Sequence, residues 1–337
     1  MGEYINPMRV PKIKLYTGEE IPCIGMGTFG SDRFTPEEVS AAVEGAIKCG
    51  YRMFDCASVY GNEDLIGRVF TKAFNEGIVS RKELFIASKV WNDQHGKGDV
   101  LLSCAKTLKD LQLDYLDVYY VHWPFPNYHA PHCHGDSRNP DSKPFSTEEF
   151  MTTWRQMERL ADMGLIRNLG MSNMTIPKLK EVLPKCRIKP ALIEMELHPA
   201  FQQKELFEYC VENNIQPVGF CPVGSPNRPE RDKTPEDVDD MKMDEVVEIA
   251  RAHGVHPAVV CLKWAVQRGA IPIPFSVHEK NYISNLKCTA EDPLTKEEMA
   301  ALEKADKNCR LIKGQVFLWP GANSWKDLWD LDGTITR

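Results

Sequence analysis

The sequence predicts an α/β fold of the (β/α)₈ barrel type, and three observations support that prediction. Eight short apolar runs alternate with helical segments over the 337 residues, as in parallel strands joined by helices. Gly25, Gly27 and Gly30 have G-x-G-x-x-G spacing, but two of them lie inside the first predicted strand and the helix begins only after Thr35, which disfavours the alternative of a doubly wound open sheet. Residues able to do acid–base chemistry follow strands two, three and four, and barrel enzymes place their sites at that rim.

The predicted elements form one domain over residues 1–337, with a β-hairpin at 11–24, the barrel at 25–305 and a C-terminal loop at 306–337. The predicted strands are Cys23–Thr28, Arg52–Asp55, Leu84–Lys89, Leu116–Val121, Ile166–Met171, Ala191–Met195, Gln216–Phe220 and Ile271–Ile273. The first predicted helix has Thr35 as its N-cap and Pro36 in its first turn. Later helices, some beyond the regular alternation, are predicted at 62–76, 99–111, 146–162, 176–183, 202–213, 245–252 and 257–268, and after residues 278 and 295.

Composition excludes several classes of protein. The net charge of −7 argues against a nucleic-acid partner. No apolar run is long enough to span a bilayer, and the N-terminus has no apolar signal core, so we expect a cytoplasmic protein without a membrane partner, as a monomer or homodimer. The eleven cysteines include no Cys-x-x-Cys pair, which predicts free thiols in a reducing compartment.

Four residues at the predicted rim can do acid–base chemistry together: Asp55, Tyr60, Lys89 and His122. A tyrosine phenol has an ordinary pKa of about 10, which is high for a proton donor near neutrality. A nearby ammonium lowers that pKa, and a carboxylate keeps the ammonium charged and in place. Each residue alone has a commoner structural explanation, but their occurrence at successive strand ends predicts a catalytic site.

Several motifs give the chain a specific resemblance to an enzyme family. They are GMGTF at 25–29, FDCASVYGNE at 54–63, SKVW at 88–91, HWP at 122–124, GLIRNLGMSN at 164–173, ELHP at 196–199 and PVGS at 222–225. From about Lys12 to Leu302 the chain resembles the aldo-keto reductases, in particular aldose and xylose reductases. The resemblance implies a barrel enzyme that transfers a hydride from a nicotinamide dinucleotide to an aldehyde or ketone.

By the resemblance, Tyr60 is the general acid, Lys89 lowers its pKa, Asp55 pairs with Lys89, and His122 orients the substrate carbonyl. The implied cofactor-binding residues are Thr28, Asp55, Ser172, Asn173, Glu194, Phe220, Ser225, Phe275, Ser276, Val277, Asn281 and Asn285. The implied substrate pocket is lined by Phe29, Trp91 and Trp123, for which packing at the barrel rim is the commoner general explanation.

Three positions depart from the family pattern. The usual Asn-Gln pair of strand six is Ile193-Glu194 here. A carboxylate accepts from the nicotinamide carboxamide NH₂ but donates to its C=O only when protonated. The usual Lys and Arg near the adenosine 2′-phosphate are Phe275 and Asn281, which removes two charge-assisted contacts. Lys280 and His278 are close enough in sequence to compensate, so the choice between NADPH, which the family favours, and NADH stays open.

Three segments have two interpretations each. The insert at 127–136 carries His129, His132, Cys133 and His134, which are zinc-ligand types, but their spacing matches no common site. We therefore predict no metal and a loop that overhangs the substrate. The aromatic tail at 316–329 either simply docks on the barrel or, by the resemblance, closes the pocket. The segment at 224–228 is either an exposed loop or, by the resemblance, a cover over the dinucleotide pyrophosphate.

The predicted function is NAD(P)H-dependent reduction of a sugar-like or other small carbonyl compound to an alcohol, with Tyr60 as general acid. One alternative is a non-catalytic, nicotinamide-binding regulatory subunit on the same fold, as in potassium-channel β-subunits. A second is structural use, as in some lens crystallins, and a barrel isomerase would need no nicotinamide. The intact set of Asp55, Tyr60, Lys89 and His122 disfavours purely structural use but leaves the regulatory alternative open.

Overall fold

A computed structural model describes residues 4–31, 33–130, 133–134 and 137–337. Its hairpin consists of β1 (Lys12–Lys14) and β2 (Glu20–Pro22). The parallel sheet consists of β3 (Met26–Gly27), β4 (Met53–Asp55), β5 (Phe85–Val90), β6 (Leu116–Val121), β7 (Ile166–Ser172), β8 (Leu192–Glu196), β9 (Gln216–Phe220) and β10 (Ile271–Pro272). The helices are α1 (Pro36–Cys49), α2 (Glu63–Asn75), α3 (Asp99–Leu111), α4 (Thr147–Asp162), α5 (Ile176–Val182), α6 (Lys204–Glu212), α7 (Asp244–His253), α8 (Pro257–Gln267), α9 (Glu279–Lys287) and α10 (Lys296–Lys304).

The eight parallel strands follow one another in chain order, and the sheet closes between its first and last strands. The backbone amides of Gly25 and Gly27 donate to the carbonyls of Pro272 and Pro274, both at 3.0 Å. Pro272 and Pro274 have no N–H to donate, so they contribute only acceptors to this pairing. The strands β3 and β10 are shorter than the predicted strands. A Cβ on Gly27 would lie 3.0 Å from the Ile273 carbonyl, so glycine allows the close approach. The (β/α)₈ prediction is confirmed.

The strands are buried on both faces, as expected for a parallel sheet covered by helices. An inner cluster that includes Met53, Val118 and Tyr120 fills the barrel, and a larger cluster lies between the strands and the helices. A Cβ on Gly170 would lie 2.2 Å from the Tyr120 ring, so a glycine in β7 makes room for this aromatic side chain. No helix in the described part of the chain is long and apolar enough to cross a bilayer.

Strand register brings the polar residues to one rim. Asp55 ends β4 opposite Ala87 of β5, and Lys89 of β5 lies opposite Tyr120 of β6. His122 directly follows β6, and its amide donates to the carbonyl of Val90 at 3.2 Å. The side chains at the carboxyl ends of the strands therefore lie together at one end of the barrel, where the site is.

Candidate active site

Lys89 lies at the centre of a buried polar cluster. Its side chain is fully buried, and its Nζ lies 2.5 Å from Oδ2 of Asp55 and 3.1 Å from the carbonyl of Cys56. The hydroxyl of Tyr60 lies 3.4 Å from the same ammonium. Tyr60 belongs to a single helical turn, Ser58–Tyr60, which is anchored by a 3.1 Å hydrogen bond from the Ser58 hydroxyl to the Lys89 carbonyl. Three of the four residues predicted to share a site are thus in direct contact.

His122 completes this group at the cavity wall. Its ring is 5.9 Å from the Tyr60 ring and 5.1 Å from the Trp91 ring, edge to face in both pairs. Desolvation lowers the pKa of His122 well below its usual value, and the positive charge of Lys89 adds to that shift. The imidazole is therefore neutral near pH 7, when one ring nitrogen is a donor and the other an acceptor.

The phenol of Tyr60 is shifted in the direction opposite to the one expected from sequence. Desolvation raises the pKa of Tyr60 above its ordinary value, and the ammonium of Lys89 opposes that shift without reversing it. The carboxylates of Asp55 and Glu194 add to the upward shift. Tyr60 therefore keeps its proton across the neutral range, and the nearby ammonium stabilises any phenolate formed when the proton leaves.

Glu194 is a second carboxyl group on Lys89. Its Oε2 lies 3.5 Å from Lys89 Nζ, and both side chains are buried. Burial alone would lower the pKa of Lys89, but Asp55 and Glu194 outweigh it and hold that pKa well above the usual value. Sequence comparison with the family marks Glu194 as a departure but does not reveal this contact.

The neighbouring part of the rim presents fixed polar groups. The Thr28 hydroxyl donates to the Asp55 carbonyl, and Asn62 Nδ2 donates to the Thr28 carbonyl, both at 2.9 Å. Asn173 has a left-handed backbone, with φ of 57°, and its Nδ2 donates to the His122 carbonyl at 2.9 Å and to the Ser172 hydroxyl at 3.2 Å. These hydrogen bonds leave Oδ1 of Asn173 buried at the rim without a hydrogen-bond partner among the described residues. Asn62 was not predicted as a site residue, although it lies within the FDCASVYGNE motif.

One cavity of about 1340 Å³ runs along this end of the barrel. Every predicted site residue except Lys89 lines it, and Lys89 lies beneath its floor. The lining residues are Thr28, Phe29, Asp55, Tyr60, Trp91, His122, Trp123, Ser172, Asn173, Glu194, Phe220, Ser225, Phe275, Ser276, Val277, Asn281 and Asn285. The structure therefore brings the predicted catalytic, cofactor-binding and substrate-pocket residues to one continuous surface.

The far end of the cavity lies beside the start of α9. The Phe275 ring packs edge to face against Phe34, with 5.8 Å between the ring centres. The Ser276 hydroxyl accepts from Asn281 Nδ2 at 3.2 Å and from the His278 amide at 3.1 Å. Lys280 also lines the cavity here. At the two positions where the family usually has cations, Phe275 thus makes an aromatic contact and Asn281 makes a neutral hydrogen bond.

Two loops meet across the middle of the cavity. The Ser31 hydroxyl donates to the Asn227 carbonyl at 3.1 Å, and the Arg33 guanidinium donates to Asn227 Oδ1 at 2.8 Å. Arg228 is buried and pairs with Asp237, which also binds Lys313 at 2.6 Å. The segment at 224–228 is therefore held over the cavity by the loop after β3. Asn227 was not predicted, because its contact joins residues distant in sequence.

Comparison with known proteins supports the geometry. The model of the aldo/keto reductase family matches residues 23–307. The chain belongs to the aldo-keto reductase family. An aldo/keto reductase of Synechocystis sp. is 38% identical over 330 residues, which cover 97% of this chain and 98% of that protein. Aldo-keto reductase family 1 member A1 of Bos taurus is 38% identical over 305 residues, which cover 89% and 90%.

Solved structures agree with this assignment. The aldose reductase of Schistosoma japonicum has a TM-score of 0.79 and 34% identity, covering 94% of this chain and 98% of that one. The aldo-keto reductase of Bombyx mori in complex with NADP has a TM-score of 0.79 and 29% identity, covering 90% and 95%. This aldo-keto reductase is accordingly an NAD(P)H-dependent oxidoreductase that acts on carbonyl compounds.

In this aldo-keto reductase the ELHP motif fixes the C-terminal segment. His198 is buried between Glu196 at 3.1 Å and Asp240 at 2.9 Å. Burial alone would lower the pKa of His198, but the hydrogen bonds to Asp240 and Glu196 outweigh it and raise the pKa to about 9. Glu196 also accepts from the amides of Leu311 and Ile312, at 2.6 and 3.0 Å. The network therefore sets where the tail leaves the barrel.

The aromatic tail both docks on the barrel and lines the cavity. The Phe317 ring packs at a tilt against the Trp123 ring, with 4.5 Å between ring centres, and lies edge to face with the Trp91 ring at 5.9 Å. The indole N–H of Trp329 donates to the Lys313 carbonyl at 2.9 Å. The Arg310 guanidinium lies over the Trp329 ring, 3.4 Å from its centre. The tail therefore docks on the barrel and also forms part of the pocket wall, so both interpretations of this segment apply.

The insert lies beside the tail. The His129 ring packs at a tilt against the Phe317 ring, with 5.3 Å between ring centres, and lines the cavity, so this part of the insert overhangs the site as predicted. Cys133 packs against the aromatic cluster of the tail, while His132 lies outside the described residues. In the described ranges, no group of three or more His, Cys, Asp or Glu side chains has the geometry of a metal site.

Proposed function

We propose that this aldo-keto reductase reduces an aldehyde or ketone to an alcohol, with Tyr60 as the proton donor. The observation that carries the proposal is the buried Asp55–Lys89 pair in contact with a protonated phenol on the cavity wall. When bound, the nicotinamide dinucleotide supplies the hydride. Tyr60 donates a proton to the carbonyl oxygen as negative charge develops there, and Lys89 stabilises the phenolate that remains. His122 orients the carbonyl oxygen toward the Tyr60 hydroxyl.

The residues at the rim fit the nicotinamide end of the dinucleotide. A primary carboxamide needs acceptors for its N–H groups and a donor for its C=O. Oδ1 of Asn173 is buried without a hydrogen-bond partner among the described residues, and the carboxyl group of Glu194 lines the cavity, so both side chains supply acceptors. Phe220 lines the same stretch of the cavity and offers an aromatic face for the ring. Asn173, Glu194 and Phe220 would therefore hold the nicotinamide beside Tyr60.

The substrate end of the cavity favours apolar carbonyl compounds. Phe29 lies 5.0 Å from the Tyr60 ring, and Trp91, Trp123 and Phe317 form the remaining aromatic walls. We expect kcat/KM for benzaldehyde-type substrates to exceed that for open-chain aldoses, because aromatic walls exclude water from hydroxyl groups without replacing their hydrogen bonds. A carbonyl panel with NADPH and NADH measures this directly, and higher kcat/KM for the aldoses would contradict the substrate preference.

Cofactor choice follows from the residues at 275 and 281. Each charge-assisted contact to a phosphate is worth about 1.5–3 kcal/mol, so replacing two cations by Phe275 and Asn281 removes most of the usual preference. We expect kcat/KM with NADH to lie within about tenfold of that with NADPH, on a scale of about 1.4 kcal/mol per decade. The double variant Phe275→Lys, Asn281→Arg should shift the ratio toward NADPH.

A matched control separates local binding from net charge. Asn75→Arg adds a cation at the exposed end of α2, outside the cavity, and should leave the NADPH-to-NADH ratio unchanged. A thousandfold preference of the wild type for NADPH would show that other residues, such as Lys280 or His278, bind the 2′-phosphate.

We also expect a cytoplasmic protein. Apart from Cys133, the cysteines in the described part of the chain are free thiols, which suits a reducing compartment.

A further inference from the structure

The cluster beneath the cavity contains more carboxyl groups than its single ammonium can neutralise. Lys89 Nζ lies 2.5 Å from Asp55 and 3.5 Å from Glu194, and none of the three side chains is more than 3% exposed. With both carboxyl groups ionised, the cluster would carry a net negative charge that is buried and only partly compensated. Such a charge is costly, so one proton is expected to bind.

Glu194 is the better site for that proton. Asp55 makes the short ion pair with Lys89 at 2.5 Å, whereas Oε2 of Glu194 lies farther from the same ammonium, at 3.5 Å. Burial and the negative charge of Asp55 raise the pKa of Glu194 to about 8. Glu194 therefore gains and loses its proton within the working range of an enzyme.

The other ionisable groups around Glu194 do not change their protonation state near that pH. Tyr60 follows β4 and Tyr120 lies on β6, and burial raises both pKa values above the ordinary range. His122, after β6, is neutral because desolvation lowers its pKa, and Cys221, after β9, stays a thiol because burial raises its pKa. Lys89 stays charged, and although burial raises the pKa of Asp55, the charge and hydrogen bond of Lys89 oppose that shift. The neighbouring strand β7 ends at Ser172 and Asn173 follows it, and neither side chain ionises in this range.

We propose that Glu194 makes the affinity of this enzyme for the two redox states of the nicotinamide depend on pH, the neutral acid favouring the reduced ring and the carboxylate favouring the oxidised ring. The proposal rests on the proposed function, which places the nicotinamide against Glu194. The oxidised ring is a cation and is attracted by the ionised cluster. The reduced ring is uncharged, and a neutral carboxylic acid can both donate to and accept from its carboxamide, as glutamine does.

Linkage fixes the sign of the effect. Binding of the oxidised dinucleotide lowers the proton affinity of Glu194, so it releases protons, and its affinity rises with pH up to the pKa of the free enzyme near 8. The reduced dinucleotide binds the protonated enzyme better, so its affinity falls as pH rises above that value. Alkaline conditions therefore bias this enzyme toward alcohol oxidation and acidic conditions toward carbonyl reduction, beyond the bias from the proton in the overall reaction.

The test measures dissociation constants rather than turnover. Quenching of protein fluorescence gives Kd for NADP⁺ and for NADPH between pH 6 and 10, and the ratio of the two cancels ionisation of the 2′-phosphate. In the wild type we expect Kd for NADP⁺ divided by Kd for NADPH to fall with rising pH, by at most about tenfold per pH unit. In Glu194→Gln, which keeps a neutral donor and acceptor, the ratio should be constant.

Glu63→Gln is the matched control. Glu63 is also a buried carboxyl group whose pKa burial raises, but it binds Ser88 at 2.6 Å and Thr107 at 3.0 Å and does not line the cavity. This variant should keep the pH dependence of the wild type. Circular dichroism verifies that each variant is folded. If Glu194→Gln does not fold, proton release by the wild type on binding NADP⁺ in weak buffer near pH 7.5 still decides the question.

Each failure points to a different error. If neither dinucleotide binds at any pH, the proposed function is wrong. If both bind but the wild-type ratio is constant, or no proton is released, the inference about Glu194 is wrong while the proposed function stands. A pH-dependent ratio that persists in Glu194→Gln also overturns the inference and assigns the titration to another group, such as Asp55.

Discussion

Tyr60→Phe is expected to lower kcat for carbonyl reduction by a factor on the order of 10² or more, the usual contribution of a positioned general acid. The phenylalanine keeps the ring that packs 5.0 Å from Phe29 and 5.9 Å from His122, so the cavity wall stays in place. Only the hydroxyl 3.4 Å from Lys89 is lost. Steady-state kinetics at saturating NADPH measure the loss, and fluorescence quenching should show that NADPH still binds.

Tyr119→Phe is the control for loss of a buried phenol. Its hydroxyl shares a 3.1 Å hydrogen bond with Ser103 and lies away from the cavity, so kcat should stay close to that of the wild type. Near-normal turnover of Tyr60→Phe would remove Tyr60 as the proton donor.

Lys89→Met is expected to abolish carbonyl reduction. The substitution removes the ammonium that stabilises a Tyr60 phenolate, while the neighbouring carboxyl groups raise the pKa of Tyr60 further. It also leaves Asp55 and Glu194 buried without a cation, which costs about 3–5 kcal/mol in the free energy of unfolding unless they bind protons. Because protonation relieves this cost, the variant should be more stable at acidic than at alkaline pH relative to the wild type. Kinetics and thermal melts followed by circular dichroism provide the two measurements.

Arg81→Met separates the loss of stability from the loss of chemistry. Arg81 pairs at 2.7 Å with Asp117, a buried carboxylate near the start of β6, at the end of the barrel opposite the cavity. This variant should be less stable than the wild type and should keep its kcat. Substantial activity in a folded Lys89→Met variant would exclude Lys89 from the proposed mechanism.

The rim of the barrel could be predicted from sequence because strand period and strand order are local signals. Asp55, Lys89 and His122 each end a short apolar run, and parallel pairing then brings them together. Most predicted helices differ from the observed ones by one or two residues at their ends. The tail was not predictable in the same way, since Phe317 and Trp329 are positioned by contacts with Trp123 and Arg310 rather than by a helical or strand period.

The electrostatics of the site needed the structure. The sequence indicates that Lys89 lowers the pKa of Tyr60, but it does not show the desolvation that outweighs this effect. Likewise, the position of Glu194 in the family motif does not show that it faces the same ammonium as Asp55. With two carboxyl groups on Lys89, Asp55→Asn should leave the lysine charged, because Glu194 can ionise in its place.

Transfer of deuterium from NADPH deuterated at both C4 positions to an aromatic aldehyde tests the central claim most directly. The wild type should yield alcohol carrying one deuterium on the former carbonyl carbon, detected by mass spectrometry, while Tyr60→Phe should bind the same cofactor and yield roughly 10²-fold less labelled alcohol in the same time. Tight binding of NADPH by the wild type with no labelled alcohol from any aldehyde or ketone in the panel would contradict the account and favour a nicotinamide-binding regulatory protein.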